Sequence, residues 1–188
     1  MKNELLSLAL LGFSVVLAAQ SNDIPARTSK YLGQQEPEKN PVLFAPGLVS
    51  VANGVHGNIV FNSDFTEAAW HPNYRVEGKE LIYLVSFRNG QWDSPVEFYI
   101  SPGHNYAEPF YSYDNKRLLF LSGDIGPSGN AENEKIYYVE RLGDKWSAPK
   151  ILDEKLPAFH WQFSLDKENN LYFGGKSDDR KGEIYYSQ

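Results

Sequence analysis

The stretch "NGQWDSPVEF" (residues 89–98) returns as "GDKWSAPKIL" (143–152), setting Trp92 and Pro95 against Trp146 and Pro149 at a distance of 54 residues. A phrase repeated at such a distance marks one supersecondary unit used more than once. Other positions keep the same beat. Phe61, Tyr111 and Phe163 are each followed three residues later by an aspartate, giving Asp64, Asp114 and Asp166 at steps of 50 and 52. Trp70, Phe120 and Phe173 follow those aspartates, and Ile82, Ile136 and Ile184 sit in "LIYLV", "KIYYV" and "EIYYS".

Between these marks lie short apolar-aromatic runs broken by Gly, Asn, Asp and Pro, with no sustained 3.6-residue period. The chain therefore reads as all-β. Strands are expected near 57–62, 67–71, 80–86 and 91–99, then near 107–112, 117–122, 135–140 and 145–152. Four antiparallel strands per 40–55 residues is the arithmetic of a β-propeller blade. Twelve Tyr and eleven Phe against one Met suit strands packed face to face. The expected organisation is an orphan closing strand at 41–50, blades at 51–99 and 104–152, and a partial blade at 157–188. That makes about three units of a probable six. The turn residues Asp64, Asp114 and Asp166 tolerate left-handed backbone and bond their own main chain.

"EPFYSYDNKRLLFLS" followed by "KIYYVERLGDKWSAPKIL" resembles the TolB-like, WD-like propeller repeat, in which an F-S-P-D-G-K turn precedes an aromatic strand and G-K-W-S-x-P ends the blade. The resemblance covers 41–188. Tyr113 stands where that pattern has Pro, Asn115 where it has Gly, and "FNSDFTEAAW" departs further. It implies a fold and leaves activity open.

A third Trp phrase would fall ten residues beyond Ile184, past Gln188. Three explanations are compatible with this: a truncated or interrupted form of a six-bladed ancestor, a homodimer whose two chains complete one ring, or a stable open fragment.

"MKNELLSLALLGFSVVLAAQ" carries Lys2 and then an apolar run from Leu5 to Ala19, the length of a signal-peptide core and short for a membrane span. Residues 1–19 are read as a signal peptide and 20–40 as an extended polar lead-in, leaving no stable membrane span after cleavage. The expected location is periplasmic or secreted. The absence of cysteine closes lipid anchoring, disulfides and thiolate metal sites. A net charge of −6 with no basic run argues against nucleic acid.

Candidate chemistry is sparse. His56, His104 and His160 precede the three aspartates by unequal offsets, near the start of each innermost strand, where a propeller lines its channel. Unequal offsets favour ordinary histidines over a metal site, and no cofactor is expected. Among the acids, Asp64, Glu67, Glu108 and Asp124 are candidate glycan-cleaving carboxylates, and Trp161 beside His160 is a candidate sugar platform. Residues 122–134 read as the longest internal loop, without the EF-hand order of ligands. The leading expectation is a non-catalytic binding or scaffold module for an unknown protein or small polar ligand. The alternatives are a glycan-active enzyme or lectin, and an inactive truncated remnant.

Overall fold

The computed structural model describes residues 30–36, 38–51, 57–72, 81–98, 102–129, 131–152, 154, 156, 159–176 and 182–187, with only the backbone at 131, 159–161 and 176. The expected signal peptide and His56 lie outside these residues. The chain is all-β: among the described residues there are thirteen antiparallel strands, and the one helical element is a 3₁₀ turn at Tyr31–Gly33.

The first sheet holds β1 (Ile59–Phe61), β2 (Glu67–Trp70), β3 (Ile82–Arg88), β4 (Gln91–Trp92) and β5 (Val96–Phe98). The second holds β6 (Ala107–Tyr111), β7 (Arg117–Ile125), β8 (Ala131–Leu142), β9 (Lys145–Trp146) and β10 (Lys150–Ile151). The third holds β11 (Phe159–Leu165), β12 (Leu171–Lys176) and β13 (Gly182–Ser187). Sequence neighbours pair in each sheet because short turns favour antiparallel hairpins, except that β5 pairs with β3 and β10 with β8, beyond β4 and β9.

The registers are equivalent. Trp70 faces Tyr83, Phe120 faces Tyr137 and Phe173 faces Tyr185 across the second and third strands. All three pairs stack, with ring centroids at 5.5, 6.1 and 5.4 Å. Successive side chains of a strand point to opposite faces, so each sheet carries two apolar faces and needs cover on both.

Cover comes from stacking the sheets in chain order. Ala69, Ile82 and Phe98 of the first sheet pack on Tyr111, Leu118, Phe120 and Val139 of the second. Leu119, Leu121 and Ile136 on the second sheet's other face pack on Phe163, Leu171 and Phe173 of the third. The outer face of the first sheet, with Ala68, Trp70, Val85 and Trp92, is covered by Leu32, Phe44, Ala45, Leu48 and Val49.

Four sequence expectations change. First, the strand expected at 91–99 is split. The pairs Phe87–Trp92 and Ile82–Phe98 differ by one in register, so Asp93–Pro95 forms a bulge. Arg141–Trp146 and Tyr138–Lys150 repeat that shift around Ser147–Pro149. In both, the residue after Trp donates its N–H across the bulge, Asp93 to Ser86 O and Ser147 to Glu140 O, each at 2.9 Å. Pro95 and Pro149, which have no N–H, stand where the ladder is broken. The Trp-x-x-Pro phrase is therefore a bulge signal.

Second, the three aspartates are not equivalent. Asn62 and Ser112 close the first two turns through bonds to the N–H of Glu67 and Arg117, with Phe65 (φ 56) and Asn115 (φ 59) three residues on. In the third turn Asp166 itself takes that closing place. Its Oδ1 accepts from Glu168 N and Asn170 N, and Asn169 has φ 66. Leu165, not Phe163, then matches Phe61 and Tyr111. A two-residue slip keeps Phe163 on the same face, which is why the sequence spacing concealed it.

Third, most of 122–134 is strand: Ser122–Lys135, Asp124–Glu132 and Ile125–Ala131 pair around a Gly126–Gly129 turn. Its polar pattern concealed a ladder held by main-chain bonds. Fourth, residues 41–50 form no strand, only a parallel bridge between Pro46 and Ser50 with turns. Residues 30–36 of the expected extended lead-in instead pack on the first sheet through Leu32 and through Tyr31, whose ring meets Phe61 and Phe65 edge-on.

Phe120→Ala, at a fully buried position between two sheets, is expected to lower stability by about 3–5 kcal/mol in urea unfolding. Leu142→Ala at an exposed hairpin tip is expected to stay within about 0.5 kcal/mol. Equal effects would refute the layered core.

Candidate functional site

The first strands of the three sheets are neighbours, β6 lying against both β1 and β11. Their opening residues converge at one end. Asn58, one residue before β1, donates from Nδ2 to Pro109 O on β6 at 3.3 Å. Glu108 is the extra residue of a bulge between the pairs Ala107–Leu121 and Phe110–Leu119. Gln162 holds the same place on β11, between Trp161–Gly174 and Phe163–Phe173.

Glu108 and Gln162 both have left-handed backbone, φ 50 and φ 60. A long side chain in that region costs on the order of 1–2 kcal/mol, and such strain gathers at functional positions. Counted back from the turn-closing residues, Asn58, Glu108 and Gln162 are equivalent. Sequence reasoning singled out Glu108 alone; the 54-residue step from Glu108 to Gln162 was a usable signal.

Around Glu108 the second sheet builds a polar wall. Buried Asn105 accepts from Gly123 N at 2.7 Å and donates to Glu134 Oε1 at 2.9 Å. Burial lifts the Glu108 carboxyl above its ordinary pKa, and the nearby charge of Glu134 lifts it further. His104 is drawn into the extended hairpin, its Nε2 3.3 Å from Asp124 Oδ1 and its backbone bridged to Asp124. His160 and Trp161 lie on β11 beside Gln162, by backbone position. Asn58 Oδ1 is buried and has no donor among the described residues.

The remaining sequence candidates lie elsewhere. Asp64 is at the opposite, turn end, accepting from Asn115 Nδ2 at 2.8 Å. Glu67 pairs with Arg141 across the first two sheets, and the Arg141 guanidinium lies 3.8 Å over the Trp146 ring. Burial pushes the Tyr111 hydroxyl up in pKa, the Glu67 charge pushes it further, and the Arg141 charge opposes both. Asp114 and Asp166 are held below the usual carboxylate range mainly by bonds from Ser112 and Asn170. These four acids serve turns and the sheet interface.

A cleft of about 670 Å³ also opens at the turn end, between the second and third sheets. Its charges are mutually satisfied: Glu140 takes Lys150 at 2.7 Å and Arg117 at 3.8 Å. Among the described residues no group of three or more His, Cys, Asp or Glu is placed to hold a metal.

The folded chain keeps the Glu108 proton to higher pH than the unfolded chain does. Its contribution to stability is present below the ordinary value of 4.5 and is lost as pH rises through the raised folded value. Glu108→Gln is expected to raise the urea midpoint at pH 7 more than at pH 4; parallel shifts would show an ordinary, solvated carboxyl. Comparison with known proteins matched no family model, no curated protein and no solved structure.

Proposed function

We propose that this is an exported β-propeller protein that binds a protein or small polar ligand at the inner-strand end without catalysing a reaction. The three sheets are blades, β1, β6 and β11 are their innermost strands, and Asn58, Glu108 and Gln162 face the mouth of the central axis. The stacking of sheets in chain order supports the blade reading, as does the shared register of Trp70, Phe120 and Phe173. The observation that carries the binding reading is the strained backbone at Glu108 and Gln162. Two polar side chains are held at one place on successive inner strands, at a cost that folding alone does not require. Export rests on the apolar run from Leu5 to Ala19.

One observation favours a second reading. A carboxyl raised in pKa beside a second carboxylate, as Glu108 is beside Glu134, is the arrangement of a general acid in glycoside cleavage. The two readings separate in one experiment. The chain is immobilised, offered an oligosaccharide array and then an envelope extract, and compared with Glu108→Lys. Capture of a polar or protein ligand, weakened about tenfold or more by the substitution, which corresponds to about 1.4 kcal/mol, is the expected result. Cleavage of a glycan that Glu108→Gln abolishes would establish the second reading. Capture unchanged by Glu108→Lys would remove the inner-strand end as the site.

A further inference from the structure

Pro41, Pro95 and Pro149 are spaced by 54 residues, and each opens a short run: "PVLF" (41–44), "PVEF" (95–98) and "PKIL" (149–152). The second and third runs contain β5 and β10, the last strands of their sheets. The first lies in no strand, yet it packs on the corresponding face of the sheet that follows it. Phe98 of β5 meets Phe120 edge-on at 5.4 Å, and Phe44 meets Phe61, the counterpart of Tyr111, edge-on at 6.2 Å. Pro41–Phe44 thus resembles a last strand, with no sheet of its own among the described residues. Val42 and Leu43 are 58% and 64% exposed.

The third sheet has the complementary gap. Among the described residues no strand pairs with the outer edge of β13. Its outward face carries apolar side chains that the other sheets bury. Ile82 is 0% exposed and Ile136 2%, but the equivalent Ile184 is 80% exposed, with Tyr172 and Tyr186 open beside it.

We infer that two copies of the chain complete each other by strand exchange, an inference that rests on the blade reading. Pro41–Phe44 of one copy adds to β13 of the second as β5 adds to β3. Phe44 then lies opposite Ile184, Leu43 opposite Tyr185 and Val42 opposite Tyr186. The bond from Leu152 N to Ile136 O shows which backbone groups face the neighbouring strand in this register: those of 42 and 44. Those of Leu43 face away, and its carbonyl is taken by Gln34 Nε2 at 3.0 Å.

Among the described residues, Gln34 thus holds the segment from the side opposite the one a partner strand would take. The exposed face of the third sheet then meets the other copy's first sheet beside the cover formed by Leu32, Phe44, Ala45, Leu48 and Val49. There a cleft of about 740 Å³ lies open beside Phe44, Val49, Ile59 and Trp70. A second copy is the occupant because it carries both halves, the loose strand and the unfilled edge. The exchange is reciprocal and closes at two chains.

The purified full chain is expected to be a dimer by light scattering. Ile184→Lys is expected to halve the mass with the strand spectrum kept, and the urea midpoint is expected to rise with protein concentration in the unaltered chain but not in the variant. The chain has no cysteine, so Val42→Cys with Tyr186→Cys is expected to give a covalent dimer with a short bismaleimide, whereas Val42→Cys alone is not. A folded monomer of the unaltered chain would overturn the exchange and leave the blade reading standing. A dimer that cross-links through Ile184→Cys alone, and not through 42 and 186, would overturn it in favour of face-to-face pairing. Loss of strand signal in Ile184→Lys would count against the sheet order and the exchange together.

Discussion

Every sheet in this chain is apolar on both faces, and this one constraint organises the rest. Strand side chains alternate, so Trp70 and Ala69, or Phe120 and Leu119, point to opposite sides of one sheet and both are buried. Water on one side of such a sheet leaves apolar surface exposed, which favours stacking the sheets on one another. At about 25 cal/mol per Å² of apolar surface removed from water, the stacked aromatic pairs and the Ile, Leu and Val opposite them carry most of the stabilisation. The first sheet meets the requirement with a local device. Leu32, Phe44, Ala45, Leu48 and Val49 fold over its free face. The third sheet has no such cover among the described residues, and Ile184 and Tyr186 stand in solvent.

Turns and bulges then set where each sheet begins and ends. A single side-chain oxygen closes each first hairpin, supplied by Asn62, Ser112 and Asp166 in turn. Three residue types do one job because each places an acceptor on a short stem beside the same N–H groups. The Trp-x-x-Pro bulge twists each last strand while the indole stays against the sheet. Arg141 over Trp146, paired with Glu67 of the neighbouring sheet, uses that placement to tie two layers together.

The end where β1, β6 and β11 begin departs from this economy. Left-handed backbone at Glu108 and Gln162, a carboxyl raised by burial, and a buried Asn58 oxygen are costs the layered core does not call for. Costs that folding does not require are where function is sought. The sequence pointed to Glu108 and His104 through their nearness to a strand start, and to Glu134 only as part of an expected loop. It did not join Asn105, three residues before Glu108, to Glu134, which reaches it from β8.

The all-β class, the two-hairpin rhythm and the stacked aromatics were legible in the sequence because they depend on local spacing. Period-two alternation, turn residues and Trp-x-x-Pro act within a few residues of themselves. Three matters were decided only by the tertiary structure: the role of Asp166, the cover over the first sheet, and the extension of β7 and β8 into an apparent loop. Each turns on pairing between segments far apart or on main-chain bonds that side-chain patterns do not record. A two-residue slip preserves a strand's faces, so spacing could not reveal that Asp166 had taken the place of Ser112. Which apolar face lies against which neighbour is a property of the assembled layers, and Ile82, Ile136 and Ile184 read alike until those layers are in place.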